Sequence, residues 1–119
     1  MKPLFVYYPK CGTCRNAAKW LAGHGIDVEA RDIVTDKPTE DELRRWIPMS
    51  GLPVRKFFNT SGLLYKELGL KDKLPGMTEL EMIALLSIDG KMVKRPVLVL
   101  PDRVLVGFKE EEWQKAFAK

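Results

Sequence analysis

The feature that most constrains the fold is a short apolar run that leads directly into two closely spaced cysteines. Residues 4–8 read LFVYY between two prolines, which predicts a buried strand. Cys11 and Cys14 follow, and residues 13–23 place alanine and leucine at helical spacing before a Gly-His-Gly stop. A strand, a turn and a helix in this order predict that Cys11 lies in the turn, exposed at one edge of a sheet.

The rest of the chain supplies a second strand, several helices and a C-terminal hairpin. An alternating run at residues 26–34 predicts the second strand, and two Thr-x-x-Glu capping boxes, the first at Thr39, predict helix starts. We expect the first of these helices to end at Pro48 and Gly51. Residues 95–108 contain two apolar runs around a Pro-Asp-Arg turn, which predicts a hairpin, and an amphipathic helix follows.

This order of elements, β-α-β, then helices, then β-β-α, predicts an α/β chain with a thioredoxin-like fold. We expect the N-terminal βαβ unit and the C-terminal ββα unit to form the sheet, with a helical insertion at about residues 38–90 between them. A length of 119 residues suits one hydrophobic core. Residues 1–119 are therefore predicted to form a single domain.

Composition and charge argue against several classes of function. Hydrophobic residues make up 45% of the chain and charged residues 30%, as in ordinary soluble domains. The formal net charge is +4, but acidic and basic residues alternate, which indicates solvated helix faces and argues against direct nucleic-acid binding. The apolar runs fall far short of the roughly 18 residues that a membrane-spanning helix needs. We therefore expect a cytoplasmic protein that binds neither membrane nor nucleic acid.

The two cysteines have three conceivable uses: a metal site, a structural disulfide or thiol chemistry. A cytoplasmic location disfavours the structural disulfide, because that compartment keeps thiols reduced. Zinc needs about four ligands, and the chain adds only His24, whose place between two glycines at a helix end predicts a C-terminal cap instead. We expect no metal site. Two cysteines at this spacing in an α/β pattern are more typical of a redox pair.

Thiol chemistry at the start of a helix has a clear physical basis. The reactive species is the thiolate, and a cysteine of ordinary pKa, about 8.5, is only about 3% ionised at pH 7. Unpaired N–H groups and the positive end of the helix dipole stabilise an anion there. Gly12 and Thr13 allow the tight turn that points these groups at Cys11. We interpret Cys11 as the nucleophile and Cys14 as the resolving thiol that forms a disulfide with it.

Two arginines are candidates for contact with the thiolate or with an anionic substrate. Arg15 follows the cysteine pair, and Arg95 precedes Pro96 at the start of a predicted strand. In thioredoxin-like domains a cis-proline faces the cysteine motif from this position, and we expect Pro96 to be that residue. Arg95 would then lie beside Cys11 and steady a thiolate or an oxyanion. The alternative for both arginines is an ordinary surface position.

Several segments together resemble the arsenate reductase/Spx-like family. They are YYPKCGTCRNAAKWL, FFNTSGLLYKELGL and KRPVLVLPDRVLVGF, and the resemblance extends over essentially the whole chain. In particular, the chain resembles the short, uncharacterised branch whose members are described as thiol reductases. The resemblance implies a thioredoxin-like fold with an inserted helical region.

The resemblance to the glutaredoxin-coupled arsenate reductases implies a substrate site around the first cysteine. Their CGTSR turn matches residues 11–15, with a serine at the position of Cys14. One of their three anion-binding arginines falls on Arg95, whereas the other two fall on or next to Asn59 and near Val106. The anion site of this chain is therefore expected to differ from theirs. The predicted substrate-binding residues are Gly12, Thr13, Arg15, Asn59 and Pro96.

The resemblance leaves three functions open. The first is a thiol–disulfide oxidoreductase with Cys11, Cys14 and Arg95 as catalytic residues, no bound cofactor, and glutathione or the thioredoxin/glutaredoxin system as reductant. The second is a redox-sensing, Spx-like transcription regulator that binds the C-terminal domain of the RNA polymerase α subunit, although Pro53 stands where those regulators have an interface glycine. The third is an arsenate reductase with an altered anion site.

Overall fold

The computed structural model describes residues 2–118, in which four strands form one mixed sheet. The strands are β1 (Leu4–Tyr7), β2 (Glu29–Asp32), β3 (Val97–Val99) and β4 (Val104–Val106). The α-helices are α1 (Gly12–Gly23), α2 (Glu40–Ser50), α3 (Leu63–Glu67), α4 (Leu70–Lys73), α5 (Glu79–Ile88) and α6 (Glu110–Phe117). Three short 3₁₀ helices cover Val54–Phe57, Leu74–Gly76 and Gly90–Met92.

The sheet has the strand order β2-β1-β3-β4 and joins the two ends of the chain. β1 pairs parallel with β2 and antiparallel with β3, and β3 pairs antiparallel with β4. The helices α2 to α5 lie between β2 and β3 in the sequence. This arrangement confirms the predicted thioredoxin-like α/β fold with inserted helices. Within residues 2–118, no helix is long and apolar enough to cross a membrane.

Alternation along the strands divides the core between the two faces of the sheet. On one face Phe5 packs in a cluster with Leu98, Trp20 of α1 and Trp113 of α6, and the Trp113 indole N–H donates to the Gly107 carbonyl at 3.2 Å. The neighbouring residues of the two strands face the other way. They join a larger cluster with the inserted helices, whose members include Val6, Val97, Leu43, Trp46, Phe57, Ile83 and Leu86.

The C-terminal end of α1 is capped by the side chain of His24. Its Nδ1 lies 2.8 Å from the Trp20 carbonyl oxygen, and the imidazole stacks on the Trp20 indole with 4.0 Å between ring centroids. Gly25 then adopts a φ of 66°, a conformation that suits glycine and turns the chain away from the helix. The predicted capping role of His24 is confirmed.

Both predicted capping boxes are present at the start of inserted helices. The Thr39 hydroxyl accepts the Glu42 N–H at 3.1 Å, and the Glu42 carboxylate accepts the Thr39 N–H at 3.0 Å. Thr78 and Glu81 repeat the arrangement at 3.1 and 2.9 Å. Each box satisfies two N–H groups that a helix start leaves without a partner.

The prediction that Pro48 helps to end α2 is wrong, because α2 continues to Ser50. Pro48 lies in the last turn, where a proline removes one backbone hydrogen bond without disturbing a following stretch of helix. The helix instead ends at Gly51, whose φ of 70° gives the left-handed conformation common at helix C-termini.

Two contacts fix the insertion against the end of β2. The Arg31 guanidinium donates two hydrogen bonds to the Glu42 carboxylate, at 2.6 and 2.8 Å, and the exposed fractions of the two side chains are only 14% and 19%. Gly90 packs on the backbone of Ile33 so closely that a Cβ there would overlap the Ile33 carbonyl. These contacts set the position of the segment that reaches back to the first cysteine.

Candidate active site

Cys11 is the N-cap of α1 and lies in the turn that follows β1. Its N–H donates to the Tyr8 carbonyl at 3.0 Å, and its own carbonyl accepts the Arg15 N–H at 3.0 Å, the first hydrogen bond of the helix. The Cys11 side chain is half-buried at the start of the helix. The thiol is therefore accessible at the place that the sequence predicts.

The surroundings of Cys11 favour its thiolate. Partial burial alone would raise the pKa of the thiol. This effect is outweighed by hydrogen bonds from the backbone N–H and the side chain of Cys14, and by the hydrogen bonding and positive charge of Arg95. The net result is that the pKa of Cys11 lies below its ordinary value.

Cys14 lies in the opposite kind of environment. Its side chain is fully buried, and burial raises the pKa of the thiol to about 12 even though the Tyr8 N–H points at the sulfur from 3.4 Å. The neighbouring Cys11 raises this pKa further through hydrogen bonding and charge. Both cysteines are free thiols in this structure, so the predicted disulfide stays a prediction about the oxidised protein.

Arg95 reaches the cysteine turn from the start of β3. The Arg95–Pro96 peptide bond is cis, as the sequence predicts, and Pro96 accepts the Gly107 N–H at 2.8 Å, which ties this bend to the end of β4. The guanidinium carbon of Arg95 lies 4.9 Å from the centre of the Tyr8 ring. One terminal nitrogen, Nη1, is buried and has no hydrogen-bond partner among residues 2–118.

A cavity of about 360 Å³ opens beside Cys11 and contains several of the predicted residues. Cys11, Thr13, Asn59 and Arg95 line it, together with Ser61, Gly62, Lys94, Val106, Gly107, Phe108 and Lys109. Arg15 lies outside this lining and is exposed, with its Nη2 about 4.0 Å from the Cβ position of Gly12. The structure therefore brings Arg95, but not Arg15, into the cavity of Cys11.

Asn59 is held in a tight turn that forms one wall of the cavity. The Gly62 N–H donates to the Asn59 carbonyl at 3.1 Å, and the Ser61 hydroxyl donates to Asn59 Oδ1 at 3.2 Å. The Asn59 backbone N–H donates to the Met92 carbonyl at 2.8 Å, which anchors the turn to the segment before β3. We call residues 59–62 the Asn59 turn.

Two lysines of the cavity were missed by the analysis of the sequence. Lys94 lies directly before Arg95, and the Cβ position of Gly107 is only 3.2 Å from its Cε, so its stem lies across that glycine. Lys109 comes from the segment between β4 and α6. The position of Lys94 next to Arg95 in the sequence could have indicated that Lys94 also lies near Cys11. That of Lys109 required knowledge of the chain path after the hairpin.

The chain was compared with protein families and with known proteins. A profile of the ArsC family matches residues 6–116. A solved structure of an ArsC-family-related protein from Bacteroides fragilis is 61% identical, covers 97% of this chain and 98% of its own, and superposes with a TM-score of 0.94. The uncharacterized protein YusI of Bacillus subtilis is 46% identical over 99% of this chain and 100% of its own length.

A more distant relative is named as a regulator. The global transcriptional regulator Spx 2 of Bacillus cereus is 28% identical over 88% of this chain and 79% of its own length. The match of the family profile over nearly the whole chain and the high identity to the Bacteroides protein agree with each other. The chain belongs to the ArsC family.

Proposed function

We propose that this protein is a thiol–disulfide oxidoreductase in which Cys11 is the nucleophile and Cys14 the resolving thiol. The observation that supports this most directly is the contrast between the two thiols. Cys11 is accessible and has a lowered pKa, whereas Cys14 is buried, has a raised pKa and is a hydrogen-bond neighbour of Cys11. A nucleophile must be ionised at rest, and a resolving thiol is best kept protonated until it is needed.

The reaction is a sequence of two thiol–disulfide exchanges. The Cys11 thiolate attacks one sulfur of a substrate disulfide, forms a mixed disulfide, and releases the other half of the substrate as a thiolate. Cys14 then loses its proton, attacks the Cys11 sulfur, and releases the remaining half as a second thiolate. The protein is left with a Cys11–Cys14 disulfide, and the substrate has gained two electrons.

Formation of the mixed disulfide also assists the second step. The negative charge of the Cys11 thiolate raises the pKa of Cys14. That charge disappears when Cys11 is bonded to substrate, so the pKa of Cys14 falls at the stage when Cys14 has to react. The positive charge of Arg95, which already lowers the pKa of both thiols, then stabilises the Cys14 thiolate.

We assign the remaining predicted residues to substrate binding and orientation. Arg95 supplies positive charge and hydrogen bonding to Cys11, and its Nη1 is buried without a partner among residues 2–118. Pro96 follows Arg95 directly before β3, and its carbonyl accepts the Gly107 N–H. Other contacts are proposed from the turn at the helix start and from the Asn59 turn, namely from Gly12, Thr13, Arg15 and Asn59.

Reduction of the Cys11–Cys14 disulfide requires an external thiol. We propose that two molecules of glutathione or one dithiol of the thioredoxin/glutaredoxin type supply it in the cytoplasm, with no bound cofactor. The two glutathione molecules, or the one dithiol, attack by the same exchange chemistry. The two electrons that they supply in total restore both thiols.

The relationship to Spx 2 supports a second candidate, a redox-sensing regulator that binds the RNA polymerase α subunit. In this function the state of Cys11 and Cys14 would control a protein contact, and no substrate would turn over. A third candidate is arsenate reduction, which the three cations Lys94, Arg95 and Lys109 around Cys11 favour. Binding of the α subunit that depends on oxidation, or arsenate turnover that depends on Arg95, would identify these alternatives.

The test of the proposed function is a coupled assay on a glutathione mixed disulfide. NADPH consumption is followed with glutathione and glutathione reductase, or with thioredoxin and its reductase. We expect turnover by the wild type and none by Cys11→Ser, while Cys14→Ser accumulates a mixed disulfide visible by mass spectrometry. Absence of turnover by the wild type with both reductants would reject the enzyme and favour the regulator.

A further inference from the structure

The cavity beside Cys11 is the middle one of three adjoining cavities. A groove of about 380 Å³ runs along β4 and shares Lys94, Val106 and Lys109 with the cavity of Cys11. A cavity of about 510 Å³ on the other side shares Arg95 and the Asn59 turn with it. The three cavities share lining residues on both sides of Cys11, and we call them together the groove.

One end of this groove is strongly basic. We call it the basic arm and define it by its cations, which are Lys56, Lys94, Arg103, Lys109 and Lys115. Among residues 2–118, Glu112 is the one carboxylate side chain in the same lining. Asp102 lies 3.3 Å from Arg103, so five positive charges stand against two negative ones, and this excess attracts an anionic group and raises its local concentration.

The floor of the basic arm limits how an occupant can be recognised. Val104 and Val106 of β4 lie in the floor, but they are only 2% and 9% exposed. A strand edge covered in this way offers little backbone for pairing with another strand. Recognition in this arm must therefore come from the side chains of the cations along its rim.

The opposite end of the groove has no excess of charge in its lining and includes three apolar side chains. We call it the apolar arm and define it by Tyr8, Leu63 and Leu64. Leu63 follows the Asn59 turn directly and is 75% exposed, the highest exposed fraction among the large hydrophobic side chains of residues 2–118. The charged side chains of this arm are of both signs, so Leu63 is its distinguishing contact.

We propose, building on the proposed function, that the substrate is a polypeptide disulfide whose cysteine lies between an acidic segment and an apolar residue. The acidic segment occupies the basic arm, the apolar side chain packs on Leu63, and the cysteine sulfur meets Cys11 in the middle. The linings extend from Lys115 of α6 to Leu63 of α3, well beyond the surroundings of Cys11, which favours a polypeptide over a small disulfide. The single cationic end and the apolar end of the groove favour a polypeptide over a nucleic acid, whose phosphates would repeat along the whole length.

The test uses synthetic peptides whose cysteine carries nitrothiobenzoate as a mixed disulfide. The Cys11 thiolate attacks the peptide sulfur and releases the coloured nitrothiobenzoate anion, so the first exchange is measured directly. One peptide has aspartates on one side of the cysteine and a leucine on the other. A second replaces the aspartates by asparagines, and the mixed disulfide of mercaptoethanol serves as the small substrate. At low salt we expect the acidic peptide to react about tenfold faster than its amide counterpart.

Matched variants test each arm. Lys56→Gln/Lys115→Gln removes two charges from the basic arm without touching the lining of the Cys11 cavity, and Lys19→Gln/Lys73→Gln removes two exposed lysines elsewhere. We expect the first pair to abolish most of the preference for the acidic peptide, and the second to preserve it. Leu63→Ser should slow the peptide reaction, whereas Leu80→Ser, which alters a leucine that is 66% exposed on α5, should not.

The outcomes separate this proposal from the proposed function. Equal rates for the acidic and amide peptides would overturn the proposed role of the groove while leaving thiol exchange intact. The same conclusion would follow if both pairs of lysine substitutions reduced the preference for the acidic peptide equally. No nitrothiobenzoate release from any disulfide would reject the oxidoreductase. Binding of a labelled acidic peptide with serine in place of cysteine then tests the groove alone. Loss of peptide binding in Lys56→Gln/Lys115→Gln would support the groove as a peptide site. The proposal would be overturned if an oligonucleotide bound more tightly than the peptide and Leu63→Ser did not change the affinity for the oligonucleotide.

Discussion

Removal of the charge on Glu42 is expected to destabilise the protein far more than the same change in its second capping box. Glu42→Gln keeps a carbonyl oxygen for the Thr39 N–H but removes the anion that accepts two hydrogen bonds from Arg31. Glu81→Gln makes the identical change in a box whose glutamate is fully exposed and has no arginine partner among residues 2–118. The chain thus contains its own control for the Arg31 contact.

The magnitude follows from the burial of the ion pair. A fully buried pair costs roughly 3–5 kcal/mol when one partner is removed, because the other charge is left uncompensated. Arg31 keeps hydrogen bonds to the Asp36 and Lys37 carbonyls and is partly exposed, so we expect about 2 kcal/mol for Glu42→Gln. With an unfolding entropy of roughly 2.1 cal/mol/K per residue, 119 residues give a decrease in Tm of about 8 °C.

The pH dependence of this difference provides a second readout. The pKa of Glu42 is lowered, chiefly by the hydrogen bonds from Arg31. The folded protein therefore gains stability from this group above the unfolded pKa of about 4.3, and loses it as the pH falls through the lower folded value. Glutamine does not titrate, so the difference in unfolding free energy between wild type and Glu42→Gln should shrink in acid. Equal urea midpoints for Glu42→Gln and Glu81→Gln at neutral pH would refute the reasoning.

Three further predictions concern the site itself. Arg95→Met should raise the pKa of Cys11, which would appear as an upward shift in the pH midpoint of the Cys11 alkylation rate. The same substitution should cost little stability, because one nitrogen of Arg95 is buried without a partner among residues 2–118. Cys14→Ala should shift the same midpoint upward, because the Cys14 side chain also stabilises the Cys11 thiolate. Gly62→Ala places a Cβ 2.7 Å from Asn59 Nδ2 and should cost about 1 kcal/mol, measured by urea unfolding, while the alkylation midpoint of Cys11 is unchanged.

The local elements of the fold are predictable because their signals are local. Both Thr-x-x-Glu boxes are followed by helices, and the apolar run before Cys11 forms β1. Arg95 and Pro96 were predicted because thioredoxin-like domains have a cis-proline before this strand, and the structure places the start of β3 opposite the end of β1. Pro48 was misjudged, since a proline in the last turn of a helix does not stop it and the conformation of Gly51 does.

Contacts between distant elements leave no comparable pattern in the sequence. Arg31 and Glu42 belong to different elements. The sequence around Arg31 is explained by a strand and that around Glu42 by a capping box, so neither pattern points to a contact between them. From the sequence, Gly90 is explained as a residue that ends a helix. In the structure, the backbone of Ile33 lies so close to Gly90 that no side chain would fit there. Lys109 follows a hairpin, and only the folded path brings it to Cys11. These features depend on tertiary packing, which local propensity does not describe.

In the proposed function, the groups that activate the thiol and the groups that contact its substrate lie in different parts of the chain. The groups that lower the pKa of Cys11 come from α1 and from the start of β3, which lie outside the inserted helices. The Asn59 turn and Leu63 come from the insertion, and they form the wall and the apolar end of the groove. The insertion is held to the sheet by Arg31, Glu42 and Gly90, at a distance in sequence from both cysteines. In the proposed function, sequence changes in the insertion can therefore alter which disulfide reaches Cys11 while the groups that activate its thiolate remain unchanged.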